Sequence, residues 1–309
     1  MARATDAGGR RRDPCDDGRA MTFDARITSR RHPLVQRLRA AARRESQEAL
    51  LDGPHLLAEA LRSQAAAGDG RSRLLAVVVT HGAIDTPEID ALCDEAVRQE
   101  VPVQIVPDAL ADAISPAVSP SGVVALADVA LADVTAVLGI DEAGVARVST
   151  PVVPLVVVLA GVQDPGNVGT IVRTAEAAGA TGVVLLEGTA DPLGWKAMRG
   201  SMGSALRLPL HRSVNGTGTL AELRTRGVQL VAADNNATGR EDVPDVTRPT
   251  ALLVGAEGPG LPAVLLSQAN ATVRIPVSSP VESLNVAVAT ALLLFEVRRV
   301  RGGPGILHP

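Results

Sequence analysis

The segment Leu155-Val-Val-Val-Leu-Ala160 constrains the fold more than any other stretch of the chain. It is apolar at every position, so neither alternating set of side chains can face water. A strand with this pattern must be covered on both faces, which is the situation in a parallel sheet sandwiched by helices. Similar runs are expected as strands at Gly182–Leu186, Gln229–Ala233, Ala251–Val254 and Thr272–Ile275. Helical patterns fall between or after them, at TIVRTAEAAG with Gly179 as its stop, near Pro192–Ser201, Thr219–Arg226 and Pro262–Gln268, and from Leu284 to Arg301. Alternating strands and helices predict an α/β domain with a mostly parallel sheet.

The first half repeats the alternation on a smaller scale. Helical spacing at Pro33–Arg44 and in HLLAEALRSQAA is followed by the β-rich run Leu74–Thr80, a helix at Pro87–Gln99, a strand at Val103–Val106 and the apolar VVALA after Ser121-Gly122. With 309 residues the chain can hold two such domains. The expected division is a disordered tail at 1–20, a small α/β domain at 21–127, a linker at 128–152 and a second domain at 153–309. Aromatic residues make up only 1 % of the chain (Phe23, Phe295 and Trp195), so the cores must be built from aliphatic side chains.

Several classes are disfavoured. No apolar run is long enough to span a bilayer, and the N-terminal segment has no secretory pattern. Two distant cysteines, Cys15 and Cys93, suit a reducing cytoplasm rather than a disulfide framework. Scattered histidines give no metal-ligand spacing, so no metal is expected. The formal net charge is −4, but Met21–Leu50 holds seven arginines against three acids. Within that basic block Arg30, Arg31, Arg37 and Arg39 are candidates for phosphate contacts, with a solvated helix face as the equal alternative.

Ligands of open α/β sheets bind beyond the C-terminal ends of the strands. Three loops lie at such ends. The first, GVQDPGNVG, carries Asn167 and, six residues on, Arg173; that separation spans about one and two-thirds turns, so in a helix the two need not share a face, but with Asn167 expected in the loop or cap both can reach one ligand. The second, LLVGAEGPGL, holds Leu253, Gly255, Glu257 and Gly258; it lacks Gly-Lys-Ser/Thr and is not GxGxxG, which disfavours a phosphate cradle or a dinucleotide fold. The third runs from Ile275 and Pro276 through Ser283 and Leu284 to Asn285, a polar amide in the first turn of a strongly apolar helix.

In this order, PGNVGTIVRTAEAAG, LLVGAEGPGL and IPVSSPVESLNVAVATALLLFE resemble the three signature motifs of the SpoU (TrmH-like) RNA ribose 2′-O-methyltransferases of the SPOUT superfamily. The resemblance covers about residues 155–301, including DPLGWKAMRGSMGSALRLP between the first two motifs. The N-terminal half is similar to the L30e-like RNA-binding domain that often precedes this catalytic domain, although Ser121 stands where the family often has glutamine. The resemblance implies a deep trefoil knot, S-adenosylmethionine as cofactor and a homodimer through the catalytic domain. It also implies methyl transfer to a ribose 2′-hydroxyl, with 23S ribosomal RNA favoured over transfer RNA and a non-catalytic RNA-binding protein as the other alternative. Position by position, Gly255, Ile275 and Leu284, with Leu253, Gly258 and Pro276 beside them, match cofactor-contacting positions. Arg173, Asn167, Glu257, Ser283 and Asn285 match the polar residues of the catalytic region.

Overall fold

A computed structural model describes residues 21–23, 27, 29–66, 71–140, 153–235 and 244–303. The chain forms two compact units that divide between Asp128 and Val129. The tail expected at 1–20 lies outside the described residues, as does Arg26.

The first unit contains β1 (Met21–Phe23), α1 (Pro33–Arg43), β2 (Ala49–Asp52), α2 (Pro54–Ala66), β3 (Ser72–Thr80), α3 (His81–Ile84), α4 (Pro87–Arg98), β4 (Val103–Val106), α5 (Ala111–Ile114) and β5 (Val123–Val129). Its five-stranded sheet has the order β1-β4-β3-β5-β2. β4 is parallel to β1 and β3, whereas β2 and β5 pair antiparallel. Helix α1 starts sharply because His32 accepts the Leu34 N–H and Pro33 occupies the first turn, where its missing donor costs nothing. Val35, Leu38 and Ala41, at three-residue spacing, seat the helix on a core with Leu50, Val78, Leu126 and Ile114.

The second unit contains α6 (Val134–Val137), β6 (Leu155–Ala160), α7 (Pro165–Ala178), β7 (Gly182–Leu185), α8 (Trp195–Ser201), α9 (Ser204–Arg207), β8 (Leu210–Arg212), α10 (Gly216–Thr225), β9 (Gln229–Ala233), β10 (Thr250–Gly255), α11 (Ala263–Leu266), β11 (Ala271–Val273) and α12 (Val286–Val300). Its six strands are ordered β11-β9-β10-β6-β7-β8, and the five pairings are all parallel. The all-apolar β6 is buried along its whole length, as its composition requires. Val156, Val158 and Ala160 meet Leu220 and Leu223 of α10 and Val134 and Val137 of α6 on one face. Its other residues point to the opposite face, as strand alternation demands.

Four expectations need correction. Residues 129–140 are no linker: Asp133 caps α6, whose Val134, Val137 and Leu138 belong to the core of the second unit. Four residues are too few to show a helical period. Strand β8 escaped notice because it has three residues, and only Leu210 is buried. The helix expected near Pro192–Ser201 begins only at Trp195 and ends as expected at Ser201, and a further short helix that was not expected, Ser204–Arg207, follows Met202, whose φ is 50°. Finally, β11 ends at Val273 and α12 begins at Val286, leaving an open loop from Arg274 to Asn285. No helix among the described residues is long and apolar enough to cross a membrane.

Candidate active site

β6 and β10 are neighbours in the sheet, but the chain leaves them in different directions. After β6 it climbs α7 towards β7; after β10 it travels to the far edge strand β11. That divergence opens a crevice at the strands' C-terminal ends, the place where α/β sheets bind ligands. The loops Gly161–Asp164, Ala256–Leu261 and Arg274–Asn285 border it.

Helix α7 is started by Asp164, whose Oδ1 accepts the Asn167 N–H at 2.8 Å, with Pro165 at the first helical position. Asn167 is therefore a residue of the helix's first turn, not of the loop or cap. Its side chain is held from both ends. Asn285, the N-cap of α12, uses Oδ1 to accept the N–H groups of Ala287 (2.9 Å) and Val288 (3.3 Å). With that oxygen engaged, only its NH2 can reach across, and it donates to Asn167 Oδ1 at 3.1 Å. The Asn167 amide is thereby oriented, and its own Nδ2 donates to Glu257 Oε1 at 2.7 Å. A hydrogen-bonded chain thus runs from the start of α12 through α7 to the loop after β10. It joins all three sequence motifs and leaves Glu257 Oε2 without a hydrogen-bond partner among the described residues.

The loop bearing Glu257 is rigid for a steric reason. Ala256 and Gly260 exchange backbone hydrogen bonds at 3.2 and 3.1 Å, and a Cβ on Gly255 would lie 2.1 Å from the Gly260 carbonyl carbon. Gly258 and Gly260 have φ of 90° and 69°, conformations that L side chains rarely adopt. A second clamp lies one helix length away, where Arg298 Nη1 donates to the Ala177 carbonyl at 2.6 Å. Contacts at Asn167–Asn285 and at Ala177–Arg298 mean that α7 and α12 run side by side in the same direction. Arg207 and Glu176 tie α9 to α7 with two hydrogen bonds of 2.8 Å each. Burial pushes the Glu176 carboxyl up, but the hydrogen bonds from Arg207 and Ser204 and the charge of Arg207 together hold it below the usual range.

Of the residues singled out from sequence, Asn167, Glu257 and Asn285 are joined directly. Arg173, two turns up α7, is exposed and forms no ion pair or hydrogen bond among the described residues; Ser283 is exposed and likewise unbonded. Ile275 and Leu284 are half-buried, while Pro276 and Gly258 are exposed. Leu253 is a correction: its side chain is fully buried in the core and its backbone is paired with Val158 and Ala232, so it supports the strand and lines no opening. Asp164, Arg298 and the Glu176–Arg207 pair were not anticipated. Asp-Pro ahead of a helix was the available signal for Asp164.

The residues fit an adenosyl cofactor. Within Arg274–Asn285 one backbone–backbone hydrogen bond forms, Val281 N–H to the Ser278 carbonyl at 3.1 Å, and the Asn285 carbonyl accepts the Ala289 N–H at 2.9 Å, so the other backbone groups there are open to a ligand. Aliphatic Ile275 and Leu284 beside such groups provide flat apolar walls and edge donors and acceptors. No cluster of three or more metal-ligating side chains occurs among the described residues.

In the first unit, Arg37 is bound to Glu48, with Nε to Oε1 at 2.7 Å and Nη2 to Oε1 at 2.6 Å. Of the four arginines proposed for RNA, it is thus committed to a local partner, and Glu48 holds its guanidinium pKa above the ordinary value. Arg30 and Arg31 are exposed and Arg39 is half-buried.

Residues 154–295 match the SpoU rRNA Methylase family, and residues 50–130 match the RNA 2′-O ribose methyltransferase substrate-binding family. The chain is 36 % identical over 282 residues to an uncharacterised tRNA/rRNA methyltransferase of Synechocystis sp., covering 89 % of this chain and 94 % of that protein. Over 144 residues it is 40 % identical to a 23S rRNA guanosine 2′-O-methyltransferase of Bacillus subtilis, an alignment spanning 46 % of this chain and 57 % of the relative. The AdoMet-bound rRNA methyltransferase of Sinorhizobium meliloti superposes with a TM-score of 0.71 at 29 % identity, covering 91 % of this chain and 98 % of that one. The chain belongs to the SpoU methylase family, the RNA ribose 2′-O-methyltransferases that use S-adenosylmethionine.

Proposed function

We propose that this protein methylates a ribose 2′-hydroxyl of structured 23S ribosomal RNA. The observation that carries the catalytic part is the Asn285–Asn167–Glu257 chain, which assembles polar groups from three separate motifs at the sheet's switch point. The target class is supported by the substrate-binding match in the first unit and by relatives named for 23S ribosomal RNA. S-adenosylmethionine supplies an electrophilic methyl group on a sulfonium centre. Gly255, Gly258, Ile275, Pro276 and Leu284 would hold it, largely through backbone groups and aliphatic contact.

A ribose hydroxyl is a weak acid, so the site must favour its alkoxide character while fixing its orientation. Arg173 is exposed and unpaired, which leaves its full charge available to the developing oxyanion or the adjacent phosphate. A guanidinium, with a pKa above about 12, serves poorly as a base, so its role is electrostatic. Glu257 Oε2 accepts a ribose hydroxyl hydrogen, and Asn167 and Asn285 keep that carboxylate aimed. Ser283 lies on the same loop and is free to bond the substrate. Arg30, Arg31 and Arg39 contribute phosphate contacts in the first unit. The second copy of a homodimer covers α12, where Val288 and Leu292, four residues apart, are 50 % and 41 % exposed.

The test is methyl transfer from labelled cofactor into purified ribosomal and transfer RNA, followed by mapping of the modified nucleotide. Label in 23S RNA supports the reading; label confined to transfer RNA overturns the target. Arg173→Ala should abolish transfer while calorimetry shows unchanged cofactor affinity; loss of cofactor binding would refute this division of roles.

A further inference from the structure

We propose that the outer face of α8 is a stacking platform for an unpaired nucleobase beside the target ribose, with Trp195 as the stacking surface and Lys196 and Arg199 as phosphate contacts. This rests on the RNA methylation reading above. Single-stranded RNA is held by aromatic faces against bases and by cations along the backbone. In this chain such a surface can be built in few places, because there are two phenylalanines, one tryptophan and no tyrosine. In the second unit Phe295 is half-buried with the Arg298 guanidinium 5.9 Å from its ring centroid. Trp195 is likewise half-buried, but no protein acceptor among the described residues bonds its indole N–H, and its neighbours Lys196 and Arg199 are exposed.

The neighbours of Trp195 suit the role. Lys196, the chain's sole lysine, places its ammonium 5.7 Å from the indole centroid. Arg199 follows three residues later on the same exposed face. Neither cation is ion-paired among the described residues. Elsewhere in the unit the exposed Arg212, Arg226 and Arg299 are paired with Asp191, Glu222 and Glu296, whereas Arg173, Arg224 and Arg274 are, like Lys196 and Arg199, exposed without an ion pair among the described residues. The platform is also rigidly placed. A Cβ on Gly200 would lie 3.3 Å from the Gly166 carbonyl, and one on Gly169 would lie 2.3 Å from the Ala197 carbonyl, so α8 is in backbone contact with the turn of α7 that presents Asn167.

The test uses the full chain and its one tryptophan as the probe. Titration with single-stranded polyuridylate and with 23S RNA should quench Trp195 emission, as base stacking does. Trp195→Leu should weaken RNA affinity roughly 5- to 100-fold and raise KM for RNA, with kcat and cofactor affinity nearly unchanged. Trp195→Phe should restore most of the loss. Lys196→Gln with Arg199→Gln should reduce the slope of log affinity against log salt by about 1–2. RNA binding with no change in the wild-type emission overturns the platform, as does full RNA affinity in Trp195→Leu. If the wild type neither binds nor methylates RNA, the RNA reading itself fails and the platform with it.

Discussion

Replacing Gly169 by alanine separates the demands of the helix from those of the site. In an ordinary helix interior the change stabilises by about 1 kcal/mol, because glycine loses more backbone entropy on folding. At this position the new Cβ would stand 2.3 Å from the Ala197 carbonyl oxygen, 2.9 Å from Ser201 N and 3.0 Å from the Gly200 carbonyl carbon. Carbon against a carbonyl oxygen needs about 3.3 Å. Helix α8 must therefore retreat by about 1 Å, and since all three obstacles are backbone, no rotamer change relieves them. Overpacking of this kind costs about 1–3 kcal/mol, and here it belongs at the upper end. The net loss of about 1–2 kcal/mol corresponds to a fall in Tm of about 2–8 °C for a unit of this size. Asn167 lies two residues earlier on the same helix, and displacement of a positioning group by about 1 Å costs on the order of a hundredfold in rate. Thermal melting followed by circular dichroism and single-turnover methyl transfer measure the two effects, with Thr174→Ala on the same helix as control. A Gly169→Ala protein melting at or above wild type would refute the argument, since that is what helix propensity alone predicts.

Other consequences are as direct. Arg301 donates to the carbonyls of Val246, Val153, Pro154 and Arg248 at 2.7–3.1 Å, so Arg301→Met should cost about 2–3 kcal/mol in denaturant unfolding, and lysine, with one compact head group, should not restore it. Asn285→Ala should lose about 1 kcal/mol from the missing cap and should also impair methyl transfer, because Asn167 loses its orienting donor; Asn285→Ser should recover the stability and not the rate. Cys93 is buried, and burial, reinforced by Asp90 and Asp94, pushes its thiol up to about 12, so alkylation at pH 8 should leave it unmodified until the chain is unfolded, as read by mass spectrometry. The Glu176 carboxyl titrates lower folded than unfolded. Its contribution is complete above the ordinary glutamate value near about 4.3 and vanishes as acid carries pH down through the folded value; Arg207→Met should flatten that part of the acid-unfolding profile.

How far a sequence speaks depended on the length and regularity of each feature. The run Leu155–Ala160 admitted one reading, a strand covered on both sides, and the alternation around it was enough for the α/β class. Gly179 marked the end of α7, which it terminates at φ 84°. Asn167, Glu257 and Asn285 were visible as polar residues in three loops, because small and charged residues beside glycines stand out against an aliphatic background. Their linkage was not visible. A hydrogen bond between positions 118 residues apart, Asn285 to Asn167, follows from the order of strands in the sheet, and local sequence carries no trace of that order. The same holds for Arg37, whose commitment to Glu48 reflects a turn between α1 and β2 that composition could not show. Leu253 was misread because a motif marks a neighbourhood in sequence, whereas facing a crevice or a core is decided by which side of β10 a residue occupies. The sequence alone determined what must be buried and which residue types were available for chemistry. Tertiary structure decided which of them meet, since the distances that matter are set by the packing of whole helices and strands.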